Sequence, residues 1–580
     1  MFGSDIVVSM LKGYGVKHLF GLPGDTGMAL YNSLYKAEGI RHIMCRDERH
    51  AGFMADAYAR VSGKPGVCEV PSGGGVSYLL PAVAEADGSS IPLVCLASDV
   101  PLASDEKAAL TALNQTALMA PITRFCHRLT SAEMIPHIIR KAFRLATSGR
   151  TGPVHLAFPE NVLSGQVNLK LIENDIYAEE RCARYPSFRA RPDSSLVEKA
   201  AALIMKANRP VIIAGGGVLL SGACSELNQL AEYANLAVVT TINGKGSIAE
   251  TSVLAFGVMG TNGAKASTNS ALQEADLILA IGTRLNSSIT MSSTLISGDA
   301  DLIQVDSDPE QLGNTNRAEV AIQADARLFL EDLLTELREH RSSPLPLSEW
   351  VLSVRDKIDR EFTELNRLKN GSSNGSLHPA VVVQILEAIL PAETIIVSDA
   401  GYSTPYLSAY YRLKKAGPGF IDPRAQGGLG YAIPAAIGAK LAAPEGTPVI
   451  GIFGDGSLGM SIGELETVTR LNIPIIYIHF NNKAFGWIQN IQKIYYQKNY
   501  FSVSFDPTVD YVKAAEAHGL NASRAENAAS LKKVLTGALK SAQATFIEVP
   551  IPSGAELTPL VAPWLRDEAM KEEDRCKDGY

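Results

Sequence analysis

The sequence predicts an α/β protein built from three doubly wound parallel sheets. Short apolar runs bounded by glycine and proline alternate with stretches whose apolar residues recur at helical spacing. Two stretches without hydrophobic periodicity, at 170–190 and 341–375, divide this alternation into three parts. A length of 580 residues, of which 46% are hydrophobic, supplies enough apolar surface for three cores. The predicted regions are 1–175, 190–340 and 370–552, followed by a C-terminal tail at 553–580.

Composition and charge exclude several classes of protein. A net charge of −8 over this length offers no basic surface for nucleic acid or membranes. The N-terminus lacks the basic and apolar segments of a secretory signal, and no apolar stretch reaches the roughly 18 residues of a membrane span. Seven scattered cysteines do not suggest a disulfide framework. We therefore expect a cytoplasmic protein that binds neither nucleic acid nor membrane.

The first region carries a candidate ligand-binding carboxylate. Its predicted strands are 19–20, 66–70, 92–97 and 154–157, with a further strand from 43, and its predicted helices are 26–38, 49–62 and 132–147. Glu48 stands at the end of a strand and is followed by small residues on the next helix, which could let a ligand approach. On the residues alone, a solvated charge within 46–49 is the stronger interpretation.

The second region repeats the alternation, with predicted strands at 210–214, 236–240, 277–281 and 302–305. Three glycines, at 215–217, follow the first of these strands. They could lie against the phosphates of a dinucleotide, but one glycine cluster after a strand is weak evidence.

The third region places two polar side chains at one sheet edge. Predicted strands at 395–398, 448–453 and 473–480 are joined by helical stretches, including 460–471. Asp455 and Asn482 each follow a strand, so both should lie at the carboxyl edge, where open α/β sheets bind ligands. Carboxylate and amide oxygens suit Mg²⁺ or Ca²⁺, with phosphate oxygens as further ligands.

A helix that opens at Gly456 and Ser457 would favour an anion at its N-terminus. The alternative is an ordinary βαβ unit with a glycine turn and an asparagine-capped strand. A Gly-Asp-Gly followed after about 27 residues by Asn-Asn, on strand-helix-strand, is more specific and favours a metal-held diphosphate.

Two motifs carry a resemblance to a known family. The segment from Gly-Asp-Gly at 454–456 to Asn-Asn at 481–482 resembles the signature of the thiamine-diphosphate (ThDP) enzymes. The pattern R-x-E-x-x-A-x-x-x-A-x-x-Y-A-R at 46–60 resembles the group that contains acetolactate synthase, pyruvate oxidase and benzoylformate decarboxylase. The resemblance covers nearly the whole chain and implies pyrimidine-binding, middle and pyrophosphate-binding domains in that order.

The resemblance also implies the site residues. Glu48 would hydrogen-bond the N1′ atom of the aminopyrimidine and promote ylid formation, with its pKa raised by burial, and Gln115 matches a glutamine that faces the pocket. The metal would be bound by Asp455, the side chain of Asn482 and the carbonyl of Ala484. The expected cofactor-binding residues are Glu48, Gly401, Tyr402, Ser403, Gly427, Leu429, Gly454, Gly456, Ser457, Asn482, Phe485 and Gly486. The expected substrate pocket contains Gly24, Asp25, Ser72, Asn114, Trp487 and Gln489.

This chain departs from the family pattern at several positions. Asn114 and Thr116 replace the residues that usually flank the glutamine, which predicts a more polar pocket. Leu429 stands where acetolactate synthases carry methionine, and plain core packing is its alternative interpretation. ThDP and Mg²⁺ are the expected cofactors. FAD stays an option in the middle domain, where Arg284 keeps a flavin-contacting position but the residues after it differ.

The expected function is an acetolactate synthase-like carboligase. It would decarboxylate a 2-oxo acid, with pyruvate as first candidate, and transfer the carbanion to an aldehyde or ketone. The histidine pair of pyruvate decarboxylases is absent at 113–116, and Pro71 stands where benzoylformate decarboxylase has histidine, so fewer proton donors would compete with the acceptor.

Three alternatives stay open: a 2-oxo acid decarboxylase, a ThDP-dependent hydrolase that opens cyclic diones, and a catalytically silent ThDP-binding protein. In this group two subunits share each site. A homodimer is therefore the expected minimal active unit, and a homotetramer is the expected assembly.

Overall fold

The apolar runs predicted as strands form parallel sheets in the computed structural model, which describes residues 1–368, 372–373 and 375–570. Within these residues there are three six-stranded sheets, all of whose neighbouring strands are parallel. Helices alternate with the strands, so the predicted α/β class with three doubly wound sheets is confirmed.

The first sheet has the strand order β2-β1-β3-β4-β6-β5. Its strands are β1 (His18–Gly21), β2 (Arg41–Met44), β3 (Gly66–Val70), β4 (Leu93–Asp99), β5 (Phe125–Arg128) and β6 (Val154–Pro159). The helices of this part are α1 (Gly3–Gly13), α2 (Met28–Lys36), α3 (Glu48–Ser62), α4 (Gly74–Ser89), α5 (Gln115–Met119), α6 (Ile135–Thr147), α7 (Glu160–Leu163) and α8 (Leu169–Ile172). The core of this part includes the buried faces of α1 and α6.

The second sheet has the order β12-β11-β10-β7-β8-β9. Its strands are β7 (Pro210–Ala214), β8 (Ala237–Thr240), β9 (Ala255–Val258), β10 (Leu277–Ile281), β11 (Asp301–Asp306) and β12 (Val320–Gln323). The helices of this part are α9 (Ser194–Lys206), α10 (Gly216–Leu220), α11 (Cys224–Ala234), α12 (Ala266–Glu274), α13 (Ser287–Thr290), α14 (Ala326–His340) and α15 (Glu349–Arg367).

The third sheet has the order β16-β15-β17-β18-β20-β19. A short antiparallel pair, β13 (Ser372–Ser373) and β14 (Ser376–Leu377), precedes it. Its strands are β15 (Ile395–Ser398), β16 (Phe420–Ile421), β17 (Val449–Gly454), β18 (Ile476–Asn481), β19 (Asn521–Arg524) and β20 (Thr545–Pro550). The helices of this part are α16 (Pro379–Ile389), α17 (Thr404–Tyr410), α18 (Ala432–Ala442), α19 (Asp455–Ser461), α20 (Glu464–Leu471), α21 (Gly486–Tyr495), α22 (Tyr511–Ala517), α23 (Ala528–Ala538) and α24 (Ala562–Ala569).

Single turns of 3₁₀ helix occur at Asp25–Gly27, Leu102–Ser104, Ala120–Ile122, Ala132–Met134, Glu173–Asp175, Glu180–Ala183 and Pro309–Gln311.

The chain packs as two compact units. The first comprises Met1–Phe188, Pro423–Glu445 and Ser461–Leu471, and the second comprises the rest of the described residues. Helices α18 and α20 therefore belong to the unit of the first sheet, although they follow strands of the third. Within the first unit α18 crosses α3 so closely that a Cβ on Gly438 would lie 1.9 Å from the carbonyl oxygen of Met54. Glycine is required there by this backbone approach.

The stretch predicted as the first linker and part of the predicted C-terminal tail are packed. Residues 169–188 form short helical turns, and Ile172 and Cys182 are buried in the core of the first unit. The predicted tail forms α24, whose Trp564 packs against Trp487 with ring centroids 4.6 Å apart. Residues 571–580 of that tail, and part of the predicted linker at 341–375, lie outside the described residues.

The helix predicted to open at Gly456 and Ser457 and to continue through 460–471 is divided into two helices. Helix α19 begins at Asp455, and helix α20 begins at Glu464. Within Gly-Asp-Gly, Gly454 is therefore the last residue of β17, and Asp455 and Gly456 are the first two residues of α19. Among the described helices, none combines the length and apolar character needed to cross a membrane.

Candidate active site

The junctions after β17 and β18 bring two predicted metal ligands together. These neighbouring strands are parallel, with Gly454 paired to Phe480, so the residues that follow them leave the same sheet edge. The Oδ2 atom of Asp455 accepts hydrogen bonds from the main-chain N–H groups of Asn482 and Lys483, both at 3.0 Å. The spacing of Gly-Asp-Gly and Asn-Asn therefore yields direct contact between the two motifs.

The surroundings of the other carboxylate oxygen of Asp455, Oδ1, show whether a cation would be stabilised there. Asp455 is 3% exposed, and its Oδ1 atom is buried without a hydrogen-bond partner among the described residues. The Nε2 atom of His479 lies 3.2 Å away but lacks hydrogen-bond geometry. A buried carboxylate oxygen without a partner is costly, and a hard cation would satisfy it.

The neighbouring donors fit the same ion. The side-chain oxygen of Asn482 accepts a hydrogen bond from the N–H of Ala484 at 3.2 Å, which brings the main chain of Ala484, also buried, back toward the asparagine. Among the described residues, no three His, Cys, Asp or Glu side chains cluster as a metal centre. The arrangement is thus one carboxylate, one amide and one carbonyl, which are oxygen donors of the kind Mg²⁺ or Ca²⁺ takes.

Two glycines allow the residues that follow β17 and β18 to pack closely together. A Cβ on Gly456 would lie 2.2 Å from the ring of Phe485, and a Cβ on Gly486 would lie 2.2 Å from the side-chain nitrogen of Asn482. Both distances are shorter than any side chain tolerates. Gly456 and the buried Ser457 lie in the first turn of α19, and the N-terminal end of a helix favours an anion.

The turn after β15 lies beside the same strand, because β15 pairs with β17. Tyr402 is buried there and its hydroxyl donates a hydrogen bond to the carbonyl of Leu557. Burial raises the pKa of Tyr402, so this hydroxyl stays protonated. A Cβ on Gly401 would meet nothing within 4 Å, and Ser403 precedes α17 as its N-cap. Gly401 therefore borders open space at this edge.

Helix α21 holds two residues predicted to line the substrate pocket. The Oε1 atom of Gln489 accepts a hydrogen bond from the N–H of Ala555 at 3.2 Å, and Trp487 packs against Trp564. Both side chains thus contact the segment after β20. Phe485 is the N-cap of α21, as the sequence predicts for the start of this helix.

In the first unit, Glu48 is the first residue of α3. Asp47 caps this helix and accepts a hydrogen bond from the N–H of Arg49 at 2.8 Å. Glu48 is 7% exposed, which excludes the interpretation as a solvated charge. Burial raises the pKa of Glu48, and the nearby carboxylates of Asp47 and Glu69 raise it further.

A hydroxyl chain follows the ends of β1, β3 and β4. Thr26 donates a hydrogen bond to the hydroxyl of Ser72 at 3.0 Å and lies 2.7 Å from that of Ser98. A Cβ on Gly24 would lie 2.3 Å from the ring of Pro71, so Gly24 packs directly on the turn that carries Ser72. Asp25 beside it is exposed. Gly24 and Ser72 thus share one corner of the first sheet.

The same turn approaches Glu48. A Cβ on Gly75 would lie 3.2 Å from the Oε1 atom of Glu48 and 2.7 Å from Pro71. The structure therefore brings Glu48, Gly24 and Ser72 to one edge of the first sheet.

Gln115 is buried, but its side chain is fully engaged. Its Nε2 donates to the carbonyl of Ser98 at 2.9 Å, and its Oε1 lies 3.1 Å from the Nε2 of His155. Burial lowers the pKa of His155 to about 4, so the imidazole is neutral and donates to Gln115. Asn114 is exposed and caps α5 by accepting a hydrogen bond from the N–H of Ala117.

The loop that carries Gly427 and Leu429 also belongs to the first unit. Gly427 is exposed with a φ of 67°, a left-handed conformation that favours glycine, and Leu429 is half-buried. The carboxylate of Glu85 accepts hydrogen bonds from the N–H groups of Ala425 (3.1 Å) and Gln426 (2.7 Å) and so anchors this loop. Sequence analysis did not identify Glu85, because its main-chain partners Ala425 and Gln426 lie 340 and 341 residues away in the chain.

The glycines at 215–217 have a packing explanation. A Cβ on Gly215 would lie 2.1 Å from the carbonyl oxygen of Gly282, and a Cβ on Gly217 would lie 2.6 Å from the Cα of the same residue. The loops after β7 and β10 therefore touch through their main chains. This contact accounts for the glycines without a dinucleotide.

Comparison with known proteins matches all three parts of the chain. Residues 1–118 match the N-terminal TPP binding domain of thiamine pyrophosphate enzymes, residues 197–333 match their central domain, and residues 399–549 match their C-terminal TPP binding domain.

Similar proteins of full length are acetolactate synthases. A probable acetolactate synthase large subunit of Methanocaldococcus jannaschii is 33% identical over 97% of this chain and 94% of its own length. The acetolactate synthase isozyme 1 large subunit of Escherichia coli is 32% identical, over 97% and 96%. An acetolactate synthase of Mycobacterium bovis is 30% identical, over 97% and 90%.

Proposed function

Because this chain belongs to the thiamine pyrophosphate enzymes, in the group of the acetolactate synthases, we propose that it is a ThDP- and Mg²⁺-dependent carboligase. Its donor would be a 2-oxo acid, with pyruvate as first candidate, and its acceptor an aldehyde or a ketone. The names of the similar proteins, which are acetolactate synthases, support this choice of donor. The observation that carries the proposal is the buried Oδ1 of Asp455, which has no hydrogen-bond partner among the described residues.

Residues of the second unit would hold the diphosphate and its metal. Asp455, the side chain of Asn482 and the carbonyl of Ala484 would ligate Mg²⁺. Gly454 at the end of β17, Gly456 and Ser457 in the first turn of α19, and the turn of Gly401, Tyr402 and Ser403 would donate hydrogen bonds to phosphate oxygens. Phe485 and Gly486 would shape the same corner.

Residues of the first unit would act on the organic part of the cofactor. Glu48 would hold a proton at a nitrogen of the aminopyrimidine, a role that suits a buried carboxyl with a raised pKa. Gly427 and Leu429 would contact the ring system. When bound, ThDP supplies a nucleophilic carbon and an electron sink for the carbanion left by decarboxylation.

Carboligation is favoured over simple decarboxylation by the scarcity of proton donors. Pro71 carries no donor, and Gln115 has its amide committed to Ser98 and His155. A carbanion with few proton donors nearby is more readily captured by a carbonyl carbon. Gly24, Asp25, Ser72, Asn114, Trp487 and Gln489 are proposed for the substrate side.

The proposal extends to assembly and domain limits. A homodimer would be the minimal active unit and a homotetramer the full assembly, in the cytoplasm, with domains at 1–175, 190–340 and 370–552. FAD is left out of the proposal, because packing against Gly282 explains the glycines of the middle part.

The test uses protein stripped of cofactors and reloaded with ThDP and Mg²⁺. Pyruvate would be supplied with and without an added aldehyde or ketone, and CO₂ and organic products would be followed together. CO₂ with a 2-hydroxyketone product is expected. CO₂ with only an aldehyde would select the decarboxylase instead, and acid released from a cyclic dione without CO₂ would select the hydrolase.

The matched variants are Glu48→Gln and Asp455→Ala. Glu48→Gln should bind ThDP and fail to turn over, whereas Asp455→Ala should lose Mg²⁺-dependent ThDP binding. Full turnover in Glu48→Gln would contradict the proposed function.

A further inference from the structure

A second buried carboxylate lies next to the chain that carries Glu48. Glu464, the first residue of α20, is fully buried. Its Oε1 accepts a hydrogen bond from the main-chain N–H of Arg46 at 2.7 Å and lies 2.9 Å from the Nδ1 of His50. Its Oε2 accepts a hydrogen bond from the hydroxyl of Thr467 at 2.6 Å. One carboxylate therefore holds the chain on both sides of Glu48.

The histidine contact has a defined direction. An ionised carboxylate only accepts hydrogen bonds, so the Nδ1 of His50 donates to Glu464. The Nε2 of the same ring lies 3.5 Å from an Nη of Arg49, which can only donate. The Nδ1 proton of His50 therefore faces Glu464, and His50 is 3% exposed. The pair is thus an ordered link inside the first unit.

Other contacts bring α20 to the same stretch. An Nη of Arg470 donates to the carbonyl of Met44 at 2.5 Å. A Cβ on Gly463 would lie 3.6 Å from the Cβ of Arg46, which is ordinary contact. Helix α20 and the residue before it therefore contact the stretch from the end of β2 to the first turn of α3 at Met44, Arg46 and His50.

We propose that Glu464 is a positioning residue that fixes the carboxyl group of Glu48. The first turn of a helix has unpaired N–H groups and frays readily, and Glu48 begins α3. A misplacement of about 1 Å can cost on the order of 100-fold in rate, so a group that acts on a cofactor needs such an anchor. This role rests on the proposed function, because it affects turnover only if Glu48 acts on ThDP.

The test compares Glu464→Ala with Glu464→Gln and with Glu466→Gln. Glu464→Ala removes both links to Arg46 and His50, and kcat should fall about 10- to 100-fold with little change in KM for the oxo acid. Glu464→Gln keeps an acceptor oxygen and should restore kcat to within about threefold of the native value. Glu466 lies on the same helix, is partly exposed and pairs with Arg470, so Glu466→Gln should behave as the native protein.

A second readout needs no catalysis. Main-chain hydrogen exchange at 44–50, measured by mass spectrometry on the full-length protein without cofactor, should speed up in Glu464→Ala and stay native-like in Glu464→Gln. If Glu464→Ala does not fold, His50→Leu carries the test, because it removes one link and leaves Arg46 bonded. Faster exchange at 44–50 and a lowered kcat are then expected.

Two results would overturn the role of Glu464. One is kcat within twofold of native in a folded Glu464→Ala or His50→Leu, and the other is a loss of kcat with unchanged exchange at 44–50. Glu48→Gln, assayed in parallel, separates this failure from failure of the proposed function. If Glu48→Gln is inactive while Glu464→Ala is fully active, only the positioning role is lost. If Glu48→Gln is fully active, the proposed function itself fails.

Discussion

At the scale of single residues, the two glycines of α19 differ in what surrounds them. A Cβ on Gly456 would meet the ring of Phe485 at 2.2 Å, whereas a Cβ on Gly459 would meet nothing within 4 Å. Gly456→Ala should therefore displace Phe485 and weaken ThDP binding by at least about tenfold, about 1.4 kcal/mol.

The matched control is Gly459→Ala. Alanine is the better helix former by about 0.5–1 kcal/mol, so this variant should bind ThDP normally and melt at a higher temperature. Fluorescence titration with ThDP at saturating Mg²⁺ measures both variants. If Gly456→Ala and Gly459→Ala bind ThDP equally well, the close packing of Gly456 against Phe485 is not needed for ThDP binding.

Burial of the ionised Glu48 should lower the free energy of unfolding of the native protein at neutral pH. Its pKa in the folded protein is raised above the ordinary 4.5 by burial. The folded state therefore binds the proton more tightly than the unfolded chain, and stability falls as pH rises from 4.5 through the folded pKa. Glu48→Gln has no charge to bury and should be more stable than the native protein at pH 7.

Urea denaturation of both proteins without cofactor, at pH 4.5 and pH 7, measures this difference. The gain from Glu48→Gln should be present at pH 7 and shrink at pH 4.5, because a carboxyl with a pKa raised above 4.5 is more than half protonated there. An equal difference at the two pH values would contradict burial of the charge as the cause.

Sequence analysis identified the residue types of the site better than their surroundings. Asp455 and Asn482 could be placed together, because two strand ends on one parallel sheet must meet at one edge. The partners of Gln115 could not, because Ser98 and His155 reach it through the fold and not through sequence spacing. Glu464 was missed for the same reason, since its contacts with Arg46 and His50 join distant parts of the chain.

At the scale of elements, central strands were predicted well and edge strands were not. Predicted strands at 66–70, 210–214, 277–281 and 395–398 coincide with β3, β7, β10 and β15. The strands that sequence analysis missed at sheet edges are β5, β9, β12, β16 and β19. Two of these strands lack a continuous apolar run, because β12 alternates buried and exposed residues and β19 contains no buried residue. The strand β16 has only two residues, too few to show a pattern. The strand β20, inside the third sheet, was also missed.

Helix α16 has an N-cap that depends on pH. The Nδ1 of His378 accepts a hydrogen bond from the N–H of Ala380 at 3.1 Å, which requires a neutral ring. Burial lowers the pKa of His378 from 6.5 to about 4. The unfolded chain therefore takes up the proton first, so this contribution to stability is complete above pH 6.5 and declines as pH falls toward 4.

His378→Asn should keep the cap without titrating. Between pH 7 and about pH 5 the native protein should lose roughly 1–2 kcal/mol more stability than this variant. Equal acid sensitivity of native protein and His378→Asn, measured by urea denaturation, would contradict the neutral cap.

At the scale of the whole molecule, the second unit is held together by a buried ion pair between its two sheets. The Nζ of Lys245, which follows β8, lies 2.6 Å from both carboxylate oxygens of Glu250. The pair reaches the part of the chain around the third sheet, because Lys245 donates to the carbonyl of Ser408 and Glu250 accepts from the N–H of Leu413 at 2.8 Å. Every member of this network is buried.

Removing one partner should cost much more than removing both. Lys245→Met leaves the carboxylate of Glu250 buried without its counter-ion and should destabilise the protein by about 3–5 kcal/mol. The double variant Lys245→Met with Glu250→Gln should recover most of that loss, because the amide oxygen can still accept from Leu413. The exposed pair Lys357–Glu274 is the control, and Lys357→Met should cost less than about 1 kcal/mol.

Denaturation followed by tryptophan fluorescence and by circular dichroism measures all three variants. Because the network joins both sheets of the second unit, the transition of that whole unit should shift in Lys245→Met, and the two signals should move together. If the double variant is as unstable as Lys245→Met, the lost stability comes from packing of the lysine stem and not from the unpaired charge. If Lys245→Met unfolds at the native denaturant concentration, the ion pair does not hold the two sheets together.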